Sequence, residues 1–118
     1  SLHDALPILG WYSNGSAFVY GVSIFNMAHL SSATLRVPSW SEGDRLGFYI
    51  DMKERQSKHI RFFYNEEEVL ARLELRPDLP EKPLFLSLLM ATEQTMQLKF
   101  FGSTFPSNYK TLPVTHPQ

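Results

Sequence analysis

Polar and apolar positions alternate with period two along much of the chain. The sharpest run is Leu46–Asp51: Leu46, Phe48 and Ile50 fall on one face, and Arg45, Gly47, Tyr49 and Asp51 on the other, as in a half-buried strand. Ser41-Glu42-Gly43-Asp44 leads into it as a turn, since Gly43 tolerates positive φ and the Asp44 carboxylate can accept from nearby backbone N–H groups. Upstream, Leu9–Ser13 and Ser16–Ser23 flank Asn14-Gly15, a dipeptide that predicts a two-residue type I′ hairpin. Ile24 to Trp40 is less regular. Phe25–Leu30 suits a helical turn, a strand or a loop, while Ser31-Ser32, Pro38 and Ser39 mark loop or edge structure.

Downstream, Met52–Ser57 is charged and polar and reads as a surface turn. Lys58–Asn65 alternates again, with Ile60, Phe62 and Tyr64 on one face and His59, Arg61 and Phe63 on the other, which leaves His59 solvated. Glu66–Leu75 has good helix propensity, yet Val69, Ala71, Leu73 and Leu75 alternate; flanking strands favour a second hairpin arm, with Glu66–Glu68 as a solvated loop. Arg76–Pro83 is a proline-rich loop, and Leu84–Met90 is a short apolar run suited to a strand buried on both faces. Thr92–Thr95 makes a turn. Met96, Leu98 and Phe100 then alternate with Gln97, Lys99 and Phe101 as a last strand, stopped by Gly102. From Phe105 on, Pro106, Pro113 and Pro117 dominate a linker or strapped surface segment. About seven short strands without a long helix predict an all-β, antiparallel β-sandwich.

Composition adds limits. The 118 residues suit one domain, and 43% hydrophobic with 14% aromatic residues favours a packed core over disorder. A formal net charge of −1 gives no global field toward nucleic acid or an anionic membrane. The longest apolar stretches, Ala17–Phe25 and Leu84–Ala91, are too short to span a bilayer. There is no cysteine, which rules out disulfides, thiolate metal sites and a thiol nucleophile. Ser1–Ile8 resembles a translated sequencing-adapter tail, so residues 1–8 are set apart as non-native, and a natural chain cut at its start would lack its first strands.

No catalytic constellation emerges. His29, His59 and His116 share no metal-ligand spacing, and His3 lies in the set-apart tail. Asp44 and Asp51 would stand roughly 23 Å apart on an extended strand, too far for a glycosidase pair. Neither a nucleophile elbow nor a phosphate loop is present. Lys58, Arg61 and Lys99 with Phe63 and Phe101 would make a nucleic-acid surface only if all faced outward; packing of those aromatics in a second layer or over an edge is the favoured reading. Catalytic residues, metal ligands and cofactors are therefore none. Asn14-Gly15-Ser16 is a glycosylation sequon, but turn chemistry accounts for it fully.

Four blocks in order resemble the SPRY domain: Trp11-Tyr12-Ser13-Asn14-Gly15, Glu42–Asp51, Ile60-Arg61-Phe62-Phe63-Tyr64-Asn65, and Leu98-Lys99-Phe100-Phe101-Gly102. Gly43-Asp44-Arg45-Leu46-Gly47-Phe48-Tyr49-Ile50 is most similar to the version in a trithorax-group subunit of COMPASS-type histone-lysine methyltransferase assemblies. Phe101–Pro106, followed by Lys110-Thr111-Leu112 and Pro117, is similar to that version's exit from the domain. The resemblance implies a partial, bent, concanavalin-like sandwich over 9–105 and a Pro-rich C-terminal segment over 106–118. It also implies a nuclear, non-catalytic interaction module whose partners are WD-repeat and SET-domain subunits, with no small-molecule substrate. Its partner-binding residues would be Tyr12, Ser13, Asn14, Tyr20 and Trp40, on or near the loops such domains use.

The chain departs from the family pattern at three places. The positions just after the hairpin Trp that are basic in the family fall near Tyr12 and Asn14, neither of them basic. The family's Asn-Gly turn is Asn65-Glu66 here, and because Glu disfavours positive φ a longer loop through Glu68 is expected. The Pro usual in the strand after the long loop is displaced to Pro83. Two alternatives stay open: a cytoplasmic SPRY adaptor of another kind, such as a ubiquitin-ligase substrate receptor, and a glycan-binding β-sandwich with Asp and Asn ligands for Ca²⁺.

Overall fold

A computed structural model describes residues 8–20, 34–53, 58–76 and 93–113. Six strands run through them: β1 (Ile8–Trp11), β2 (Ser16–Tyr20), β3 (Thr34–Arg36), β4 (Leu46–Asp51), β5 (His59–Tyr64) and β6 (Glu67–Glu74). They form two three-stranded antiparallel sheets, ordered β1-β2-β3 and β4-β5-β6. Among the described residues the fold is all-β and antiparallel, as the alternation predicts. Among the described residues no helix is long and apolar enough to cross a membrane. The expected strand at Leu84–Met90, the loop over Pro77–Pro83, the segment Phe25–Leu30, His29, His116, and most of the Met52–Ser57 turn and the 1–8 tail lie outside the described residues.

The second sheet carries the core. Ile60, Phe62, Leu73 and Leu75 are buried together, with Trp11, Met52, Val69 and Leu70 packed against them. Trp11 comes from the other sheet. Its ring meets Phe62 edge-on at 5.8 Å and Phe48 at 6.0 Å, so one indole joins the two sheets. Fully burying a Phe such as Phe62 contributes roughly 1.5–3 kcal/mol. Register irregularities between Ile60 and Phe62 and between Phe62 and Phe63 let Val69 and Leu70, neighbours in sequence, both reach the core.

The two faces of this sheet do not divide as the alternation suggests. Leu46 is half-buried, but Phe48 and Ile50 remain 43% and 47% exposed. β4 lies at the end of the sheet order, where the Trp11 ring reaches Phe48 and leaves Ile50 half in water. The opposite face is covered by residues 105–112. Phe105 stacks on Tyr49 at 4.4 Å, and Phe105 and Tyr109 both contact Phe63, which is 1% exposed. Gly47 makes room for this: a Cβ there would stand 3.1 Å from Phe63 Cβ and 3.5 Å from the Tyr109 ring. His59, expected in water, is buried beside Tyr49 and accepts from Arg72 Nη1 at 3.2 Å. With Phe63, Lys58 and His59 buried, these residues do not form the outward basic-aromatic surface a nucleic acid would need.

Three more expectations are corrected. The β5–β6 connection is not a long loop but a two-residue turn, with Asn65 at φ 47° and Glu66 at φ 68°. Positive φ at a non-glycine residue costs about 1–2 kcal/mol. Here it is offset by Arg45 Nε donating to both Glu66 carboxylate oxygens at 2.8 and 3.0 Å, and by backbone bonds from Asn65 N to Arg45 O and Lys110 N to Glu66 O. Glu67 and Glu68 belong to β6 rather than to a solvated loop. Glu68, its side chain 3% exposed, accepts from Arg61 Nη2 at 2.7 Å, Arg61 Nε at 2.9 Å and Leu112 N at 2.7 Å. Finally, residues 94–101 form no strand. Period-two patterning makes a strand only where a ladder partner is within reach, and no described strand supplies one.

The buried carboxylate sets the first expectation. Burial pushes the Glu68 pKa up, but the Arg61 bonds, the Leu112 amide and the Arg61 and Arg72 charges outweigh it and hold the group below its ordinary value. A folded-state pKa below the unfolded one adds stability that is present above the unfolded value and is lost as pH falls through the folded one. Urea midpoints should therefore drop as pH is lowered below about 4, and Glu68→Gln should lose part of that dependence. At neutral pH, Glu68→Ala should cost about 3–5 kcal/mol in urea unfolding, because it strands the Arg61 guanidinium.

Candidate functional site

The β1–β2 connection spans the four residues 12–15 rather than the expected type I′ pair. Gly15 has φ 88°, and Asn14 is not among the described residues with positive φ, so a tight turn is followed by a left-handed glycine bulge. Gly15 N donates to Tyr12 O at 3.1 Å and Tyr12 N to Ser16 O at 2.9 Å. Asn14 Oδ1 accepts from Ser16 N at 3.1 Å and Ser16 Oγ at 2.6 Å, which fixes the amide over the bulge.

This loop is sewn to the segment after β3. Val37 N donates to Gly15 O at 3.2 Å, Trp40 N to Ser13 O at 3.0 Å, and the Trp11 indole N–H to Pro38 O at 2.9 Å. Gly15 is required at the seam, since a Cβ would stand 3.0 Å from Val37 O and 3.1 Å from Ser39 N. Four of the five expected site residues thus meet on one rim. Tyr12, Ser13 and Asn14 are exposed on it, and Trp40 is half-buried behind them, its Nε1 enclosed without a partner among the described residues. Tyr20 lies at the far end of β2, paired with Ile8, and its side chain is outside the described residues.

The Ser41–Asp44 turn borders the rim. Gly43 has φ 89°, Asp44 N donates to Ser41 O at 3.1 Å, and Ser41 N donates back to Asp44 Oδ2 at 3.0 Å. Tyr64 Oη donates to the same carboxylate oxygen at 2.7 Å, and Asn65 Nδ2 reaches Oδ1 at 3.3 Å. These bonds, Tyr64 foremost, lower the Asp44 pKa. The carboxylate is committed to holding the turn on the β5–β6 hairpin, not to a ligand.

Arg36 was not anticipated. It is exposed at the end of β3, opposite Ser16 in the ladder, and brings a positive charge beside the bulge. Only the pairing of β2 with β3 reveals it, because twenty positions separate the two in sequence. Among the described residues no group of three or more His, Cys, Asp or Glu is placed to hold a metal ion. What the rim offers is an exposed phenol, a hydroxyl, an amide and one guanidinium on a rigid frame. Such groups suit recognition by hydrogen bonding and aromatic contact. No protein-family model, curated protein or solved structure matches the chain.

The two positive-φ glycines give a contrast. Gly43→Ala meets open space and should cost only the left-handed strain, about 1–2 kcal/mol. Gly15→Ala adds contact with the 37–39 backbone, so its melting temperature should fall further, with a change in tryptophan emission that Gly43→Ala does not show.

Proposed function

We propose that the chain is a non-catalytic protein-binding module of the SPRY class. The observation that carries this is the seam that locks Tyr12–Gly15 to Val37–Trp40, which displays a loop rim at the end of an antiparallel β framework. A rim held by backbone bonds is preorganised, so little ordering is lost when a partner docks. The Trp11–Gly15, Glu42–Asp51 and Ile60–Asn65 blocks occupy the hairpin, the turn-and-strand and the central strand of that framework, which supports the class.

Within the class, the module is best read as a regulatory subunit of a COMPASS-type histone-lysine methyltransferase complex. It is of the kind found in the trithorax-group protein absent, small or homeotic discs two, and its partners are nuclear WD-repeat and SET-domain subunits. The Gly43–Ile50 block and the closing segment support this reading. Arg36 supplies beside the bulge a positive charge that the positions around Tyr12 and Asn14 lack. The second reading, a ubiquitin-ligase SPRY adaptor, is favoured by those same non-basic positions.

Affinity capture with the full-length protein separates the two. WD-repeat and SET-domain subunits support the first, and cullin or RING components the second. Tyr12→Ala should weaken capture about tenfold or more while leaving the melting temperature within a few degrees, since its ring is exposed. Loss of folding in Tyr12→Ala would instead make the residue part of the framework.

A further inference from the structure

Residues 95–101 combine a strand's sequence with no strand's bonding. Met96, Leu98 and Phe100 alternate with Gln97, Lys99 and Phe101, yet the segment forms no ladder with any described strand. Phe100 is 81% exposed, and Met96, Leu98 and Phe101 are each about half exposed. Lys99 Nζ lies 5.8 Å from the Phe101 ring, on the side opposite the Met96-Leu98-Phe100 stripe by strand periodicity. An exposed segment with this alternation is a template for pairing with another strand.

The order of side chains says which strand. We propose that 95–101 pairs antiparallel with the same segment of a second copy, about a two-fold axis through Leu98. In that register Leu98 faces Leu98 and Met96 faces Phe100, twice by symmetry, so one face is apolar from end to end. On the other face Gln97 stands opposite Lys99 and Thr95 opposite Phe101, each twice by symmetry, and no like charges meet. Neighbouring registers of the same facing are worse. Centring on Lys99 sets lysine against lysine, and centring on Gln97 sets Phe100 against Gln94. The segment is self-complementary in one register, and the partner it fits is itself.

The test is sedimentation equilibrium of the whole chain. The expected result is a concentration-dependent dimer in which amides 95–101 become protected from hydrogen exchange as the dimer fills. Gln97→Glu places glutamate against Lys99 at two sites and should tighten association about two- to thirty-fold. Gln97→Lys should weaken it by a similar factor, and Leu98→Lys should abolish it. Both positions are exposed, so circular dichroism should stay unchanged. A monomer at every concentration overturns the proposal. So does a dimer indifferent to charge at position 97, or protection of 95–101 that persists in dilute monomer, which would mean that the chain's own residues cover the segment.

Discussion

The architecture depends on one indole. Trp11 ends β1, packs edge-on against Phe62 and Phe48 of the other sheet, and gives its N–H to Pro38 O at 2.9 Å. Its apolar body serves the core and its polar edge serves the rim, so it couples the contact between the two sheets to the position of the 37–40 segment. That segment in turn holds the hairpin loop through Gly15 and Ser13. Core and rim are fixed by the same side chain.

A second organising device is the hairpin β5–β6, which is pinned on both sides. Arg45 and Asn65 tie its turn to the entry of β4, and Lys110 and Leu112 tie its outer strand to the C-terminal segment. Arg61 sits at the centre of the covered face, bonded to Glu68 and lying over the Phe105 ring at 5.2 Å. The aromatic strap of Phe105 and Tyr109 converts what would be a wet face into a second packed layer. Gly47 admits it, and Glu68 holds it.

Much of this was legible in the residues. Alternation located β4, β5 and β6, and the Asn14-Gly15 and Gly43-Asp44 pairs marked both turns, because local periodicity and left-handed backbone leave direct traces in sequence. Tyr12, Ser13, Asn14 and Trp40 flank those turns in sequence, and they meet on one rim. What local pattern does not encode is which face another segment covers. The burial of His59 and Glu68 depends on contacts up to 44 positions away, such as Glu68 to Leu112 N. Glu66 adopts positive φ because Arg45, 21 residues distant, holds its carboxylate. Arg36 came to the rim through strand pairing alone, and Met96–Phe101 carries a strand's pattern without a ladder.

Two ion pairs of the β5–β6 hairpin differ in their access to solvent. Arg45 and Glu66 pair at the turn with the Arg45 side chain 65% exposed, whereas Arg61 and Glu68 pair with 13% and 3% of their side chains exposed. Mobile counterions screen the first within a Debye length of about 8 Å at physiological ionic strength and scarcely reach the second. Salt therefore loosens the turn while the buried pair just behind it stays fastened, which makes the strained Glu66 turn the part of the hairpin that answers to the ionic medium.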